Sequence, residues 1–401
     1  MADLVTRADP QPSAAAPIPA WWRHPGTLAA SGFLLVRSMG LLVLSVAPER
    51  DRPLIEVLGI WDGGWYVRIA ESGYADQLDL SAPATDQSTG SLAFFPLYPM
   101  LMRLVSSATG LDPRWAGVLI SWTAGAIAAA GIAVLATEWA DRRVGVLAGV
   151  LWATAPVAVV GSLVYTETLF TALAVSAFVA LRREMWLVAG LLGALAGLTR
   201  PTGIAVGTAV AAYGALTWWR AYRERNPAQP KASILPLLGG ALALTGTPAF
   251  WIWAGIRAER WDAWFAVQNA FWGSHFDGGA SILRLAKTVV LGDSPAATAL
   301  MDVAVLVCLL LSVLLLALAI RTRVWWPLLV YAVISLVMVV GSDGYSSSKL
   351  RFLVPIFVLA FPLARWLGKR AWPIQSLVVA AAIAATTVSG TWLLLGWPYA
   401  I

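Results

Sequence analysis

Apolar runs long enough to cross a hydrocarbon core recur along this chain from residue 27 onward, separated by short stretches in which basic residues collect in twos and threes. They fall near 27–47, 115–136, 144–161, 164–181, 186–199, 202–219, 233–256, 298–320, 324–341, 351–367 and 373–395, which predicts about eleven transmembrane helices. The two runs flanking Arg200-Pro201 are the least regular as separate full spans. Two segments are too polar or too interrupted to span, 48–114 and 257–297, and loops of such length are usually functional. Residues 1–26, rich in Pro and Ala with Asp3, Arg7 and Asp9, read as a disordered leader. The first apolar run begins too late and extends too far for a cleaved signal, so 27–401 reads as one membrane domain.

Composition agrees. With 59% hydrophobic residues, 12% charged and 22 Trp, most of the 401 residues cannot form a water-soluble globule, and the expected class is an all-α polytopic membrane protein. The net charge of +6 does not point to nucleic acid, because the basic residues lie at the ends of apolar runs rather than on one face. Arg142 and Arg143, Arg182 and Arg183, Arg220, Arg223, Arg225 and Lys231, Arg321 and Arg323, and Arg365, Lys369 and Arg370 mark alternate short loops. The positive-inside rule makes these loops and the N-terminus cytoplasmic, which places both long loops on the extracytoplasmic face.

Candidate chemistry concentrates on that face. The first long loop carries Trp61-Asp62-Gly63-Gly64-Trp65-Tyr66, then Arg68, Glu71, Gly73 and Tyr74, a polar stretch over 76–91, and Phe94-Phe95-Pro96-Leu97-Tyr98-Pro99. Asp62 stands between an aromatic ring and a Gly-Gly pair, where backbone can approach a ligand and Trp and Tyr faces can stack on a sugar. A general base needs that exposure with partial desolvation. The competing reading makes Asp62 an N-cap and the aromatics ordinary belt residues. Segment 93–107, apolar but broken by Pro96, Pro99 and Arg103, reads as a short interfacial helix.

Glu167, in Tyr165-Thr166-Glu167-Thr168, is a carboxylate with apolar runs on both sides, which is a site candidate unless the helix dipole alone explains it. Arg200 precedes Pro201 at a helix start, and Lys349 and Arg351 enter the tenth run from the same side. Each basic residue alone can snorkel to headgroups; three on the carboxylates' side suggest an anion site. The second long loop holds Trp261, Trp264, Phe265, Phe271 and Trp272, suited to the headgroup level, and then His275 and Asp277, either an acid–base or metal pair or a solvated turn. His24 is the only other histidine and Cys308 the only cysteine, so neither a metal nor a cofactor is expected.

The motifs WDGGWYVRIAESGY, FFPLYP, Thr166 to Phe170, Thr199-Arg200-Pro201-Thr202-Gly203 and Arg351-Phe352-Leu353-Val354-Pro355 occur in this order and resemble the GPI mannosyltransferase 2 (PIG-V-like) family, across about 60–363. The resemblance implies a GT-C glycosyltransferase fold and transfer of mannose from a polyprenyl-phosphate carrier to a lipid-linked or glycan acceptor. It puts Asp62 at the family's catalytic acidic position in the first outer loop. The Arg- and Ala-rich style suggests a bacterial member, in which a GPI acceptor is not expected.

The residues fit that chemistry. Transfer from a lipid phosphate needs one base on the attacking hydroxyl, because cations can stabilise phosphate as a leaving group. Asp62 is then the base and Glu167 orients the acceptor. Arg200, Lys349 and Arg351 meet the phosphate, and Trp61, Trp65, Tyr66, Tyr98 and Tyr165 line the sugar and prenyl entrance. The rival from another class is a transporter or flippase of an amphipathic lipid or glycolipid, which Arg37 within the first span would also suit; it predicts inverted repeats and charges near the midplane. A structural subunit supporting a partner enzyme leaves the carboxylates and cations without work.

Overall fold

The computed structural model describes residues 24–48, 50–75, 79–80, 89–224 and 232–400. The expected disordered leader up to residue 23, most of the polar stretch 76–91, and Arg225 and Lys231 lie outside the described residues. The described chain is helical, with one isolated antiparallel bridge between Phe276 and Ser342.

Among the described residues, four helices are long and apolar enough to cross a membrane: Pro25–Val46, Pro113–Trp139, Ala299–Arg321 and Trp372–Leu395. A fifth candidate is the pair Leu235–Ala243 and Gly246–Arg257, bent by 44° at its break. This is a multi-pass membrane protein, but length and composition give four or five spans where the apolar runs predicted eleven. Several expected spans are short helices, among them Glu167–Arg182, Trp186–Gly197 and Trp326–Gly341. At 1.5 Å per residue none of these alone covers the roughly 30 Å of hydrocarbon. Two others are broken. The run 144–161 forms Arg142–Ala153 and a 3-10 turn Ala158–Ser162, separated by Pro156 and by Val157 at φ 60°. The run 351–367 is split among Ser348–Leu353, Phe357–Leu359 and Ala360–Gly368, with Pro355 at the first break.

Small residues let these helices pack closely. Gly125 of Pro113–Trp139 lies under the Phe33 ring, and Gly131 meets Val175. Trp186–Gly197 seats Gly190 on the backbone of Gly239, while Gly246 abuts the carbonyl of Ala194. Arg37 is buried in the first helix, where Nη2 donates to Ala153 O at 2.5 Å and Nη1 donates to Ala158 O. Its charge therefore satisfies carbonyls left open where the run 144–161 breaks, with Phe33 5.5 Å beneath the guanidinium.

The first long loop contains Leu54–Leu58, Asp62–Ser72, a 3-10 turn Thr89–Ala93 and Leu97–Thr109. The last is the short helix expected over 93–107, and it buries Tyr98, Pro99 and Met102. Val164 N donates to Leu58 O at 2.9 Å, and Leu97 N donates to Leu198 O at 3.0 Å. These two bonds tie the first loop to the helix starts that carry Glu167 and Arg200.

Candidate functional site

Asp62 opens the helix Asp62–Ser72, following Trp61, whose φ of 55° and ψ of −119° are unusual for a residue with a side chain. Such a conformation costs about 1–3 kcal/mol and persists where the surroundings enforce it. Gly63 packs against Val164, a fit that brings Asp62 beside the segment Tyr165–Glu167. Asp62 is not the cap: Trp61 holds that position, and no side chain caps the helix. The Asp62 carboxylate turns instead to Arg351, with Oδ2 2.5 Å from Nη1 and both side chains largely buried.

Glu167 begins the helix Glu167–Arg182 and is fully buried. Arg200 Nη1 lies 2.6 Å from its Oε1. That contact is off the line of a well-formed hydrogen bond, and Oε2 has no hydrogen-bond partner among the described residues. Arg200 Nη1 also donates to Thr166 Oγ1 at 3.0 Å, and the Tyr66 hydroxyl is 3.4 Å from the same oxygen. Phe352 lies beneath both guanidinium groups, 5.3 Å from Arg200 and 5.0 Å from Arg351, so one ring orients two cations. Burial, and next the negative charge of Asp62, push the Tyr66 phenol above its ordinary range, so it stays a neutral hydroxyl.

Lys349 is buried, and Nζ donates to Val339 O at 3.1 Å and to Ser342 O. Burial lowers this ammonium from its ordinary value, opposed by Asp277 and Asp343. Among the described residues no carboxylate is within ion-pair distance of it.

A cavity of about 390 Å³ gathers these groups. Asp62, Tyr66, Tyr165, Glu167, Arg200, Lys349 and Arg351 line it, residues drawn from four separate parts of the chain. The other three expected site residues are not on its wall. Trp65 stacks with Phe94 at 5.5 Å and lies 4.3 Å from the Arg68 guanidinium. Tyr98 is fully buried behind Tyr66, with its hydroxyl bound to Gly117 O at 2.9 Å and Ser121 Oγ at 2.8 Å. Trp61 supplies the strained turn that presents Asp62.

The remaining wall includes the aromatic residues Phe94, Phe95, Trp251, Trp264, Trp272 and Phe276, and a third carboxylate, Asp343, which accepts from Arg284 Nη2 at 2.9 Å. Trp264 is held by a 3.1 Å bond from Nε1 to Ala93 O. Trp251 escapes sequence reasoning because it sits in an apolar run that reads as lipid-facing; its indole N–H is buried without a partner among the described residues. His275 reaches the cavity, but Asp277 accepts from Gly279 N at 2.8 Å and Ser281 N at 2.5 Å, a turn-forming role. Among the described residues no three His, Cys, Asp or Glu side chains are grouped to hold a metal.

No known protein family and no curated protein matches the sequence. Solved structures do match. The Archaeoglobus fulgidus oligosaccharyltransferase in complex with Zn and sulfate aligns with a TM-score of 0.52 at 11% identity, over 92% of this chain and 54% of that one. ArnT from Cupriavidus metallidurans bound to undecaprenyl phosphate aligns at 0.50 and 16% identity, over 88% of this chain and 63% of that one. ArnT in the apo state gives 0.51 at 16% identity. The likeness is one of fold. This chain spans somewhat more than half the length of those proteins.

Proposed function

We propose that this chain is a membrane glycosyltransferase that moves a sugar from a polyprenyl-phosphate carrier to a hydroxyl of a lipid-linked or glycan acceptor, with mannose the sugar that its motifs favour. One observation carries the reading: in a GT-C-like fold, a single cavity joins three carboxylates, two of them ion-paired to its arginines, and three cations to an aromatic wall. The charged end suits a phosphate and a reacting hydroxyl. The aromatic wall suits a sugar face and a prenyl chain. That ArnT has been solved with undecaprenyl phosphate supports the donor class.

In this mechanism the acceptor oxygen attacks the anomeric carbon and its proton passes to the Asp62 carboxylate. The bond from the anomeric carbon to the phosphate oxygen breaks, and its electron pair leaves with the polyprenyl phosphate. Arg351, Arg200 and Lys349 stabilise the charge gathered there, with the planar guanidinium groups matching phosphate oxygens better than a point charge. The free Oε2 of Glu167 receives a hydroxyl of the acceptor and orients it. The distribution of basic residues supports reaction at the extracytoplasmic face.

The test is transfer by the purified protein, given labelled polyprenyl-phosphate mannose or glucose and a lipid extract as acceptor. Label in a new glycolipid is the expected result. No transfer from either donor, together with donor movement across the bilayer of reconstituted vesicles, would establish the transporter reading instead.

A further inference from the structure

The base and the phosphate ligands are found bound to each other. Asp62 pairs with Arg351 and Glu167 with Arg200, which neutralises four charged groups inside the cavity, while Lys349 has no carboxylate within ion-pair distance among the described residues, Asp343 on the same wall being paired with Arg284. An anionic donor arriving at two neutralised guanidinium groups gains little until they are shared or released. A carboxylate oxygen held by a guanidinium is likewise not free to accept a hydroxyl proton. Arg351 meets Asp62 through Nη1 alone, and the residue also lines the cavity. A phosphate can therefore attach to the same guanidinium before the carboxylate lets go, with no stage at which a buried cation stands alone.

We propose that the donor's phosphate competes with Asp62 and Glu167 for Arg351 and Arg200, so that the base is freed only once the donor is in place. The proposal rests on the glycosyltransferase reading and adds an order to it: donor first, acceptor second. Lys349 makes the first contact with the phosphate, which then draws Arg351 off Asp62 and Arg200 off Glu167. An acceptor that enters an empty site meets Asp62 with Oδ2 still held by Arg351. After transfer the proton rests on Asp62, which has then no charge with which to reclaim Arg351. Loss of that proton and departure of polyprenyl phosphate restore both pairs.

The competition has a consequence that a simple base role lacks: removing the carboxylate charge tightens donor binding. The experiment measures the affinity of polyprenyl phosphate, without sugar, for the purified wild type, Asp62→Asn, Glu167→Gln, the double variant Asp62→Asn with Arg351→Gln, and Lys349→Gln, with thermal unfolding of each. Expected are gains of roughly three- to tenfold for Asp62→Asn and Glu167→Gln. The gain disappears in the double variant, and affinity falls for Lys349→Gln. If Asp62→Asn unfolds, Glu167→Gln carries the same test on the second pair. Folded variants that bind as wild type does, or more weakly, overturn the competition while leaving the donor assignment intact. Failure of the wild type to bind polyprenyl phosphate at all overturns both.

Discussion

At the residue scale, the cavity assigns different work to its three cations, and substitutions separate them. Lys in place of Arg351 keeps a charge but loses the planar two-donor contact, so the donor KM should rise roughly tenfold with little change in thermal stability. An unchanged KM would mean that Arg351 only balances Asp62. Lys349 makes a prediction in pH. Burial disfavours its charged form, so it loses its proton at a lower pH than an exposed lysine, and donor affinity should fall on the alkaline side while ordinary lysines are still charged. Arginine at 349 stays protonated and should move that limb upward; a limb that stays in place would assign it to another group. Seven of the ten site residues expected from the sequence meet in one cavity, because the motifs pair aromatic rings and charges at helix starts. The ion pairs between them were not legible. Nothing in the spacing of Asp62 and Arg351, almost three hundred positions apart, reveals that they touch. Nor does an apolar run mark Trp251 as facing a cavity rather than lipid.

At the element scale, the all-helical class was legible and the number of spans was not. Trp326–Gly341 and Trp186–Gly197 are as apolar as a membrane span yet stop after 16 and 12 residues. Periodicity cannot distinguish a helix buried against other helices from one bathed in lipid. What the short helices do instead is bring their ends, with Glu167, Arg200 and Arg351, to one place. Close packing of glycines sustains this. A side chain at Gly246 would collide with the carbonyl of Ala194, backbone that cannot turn aside, so Gly246→Leu should destabilise the protein by about 1–3 kcal/mol. The change should appear as a lower unfolding temperature in detergent. An unaltered temperature would show that the contact between Trp186–Gly197 and Gly246–Arg257 is looser than the packing implies.

At the scale of the whole molecule, we propose that the cavity faces the extracytoplasmic side, as the arginine-rich short loops lead one to expect. Cysteines introduced singly at Asp293 and Glu224, both exposed, on a Cys308→Ala background test this. A membrane-impermeant thiol reagent applied to intact cells should label the first and not the second; the reverse pattern would invert the orientation. The central claim, that Asp62 takes the proton of an acceptor hydroxyl during sugar transfer, is met most directly by comparing transfer from a labelled polyprenyl-phosphate sugar by the purified wild type and Asp62→Asn. The account predicts a folded variant that still binds the donor and transfers about 10²- to 10⁴-fold more slowly. Transfer by Asp62→Asn at the wild-type rate would contradict it.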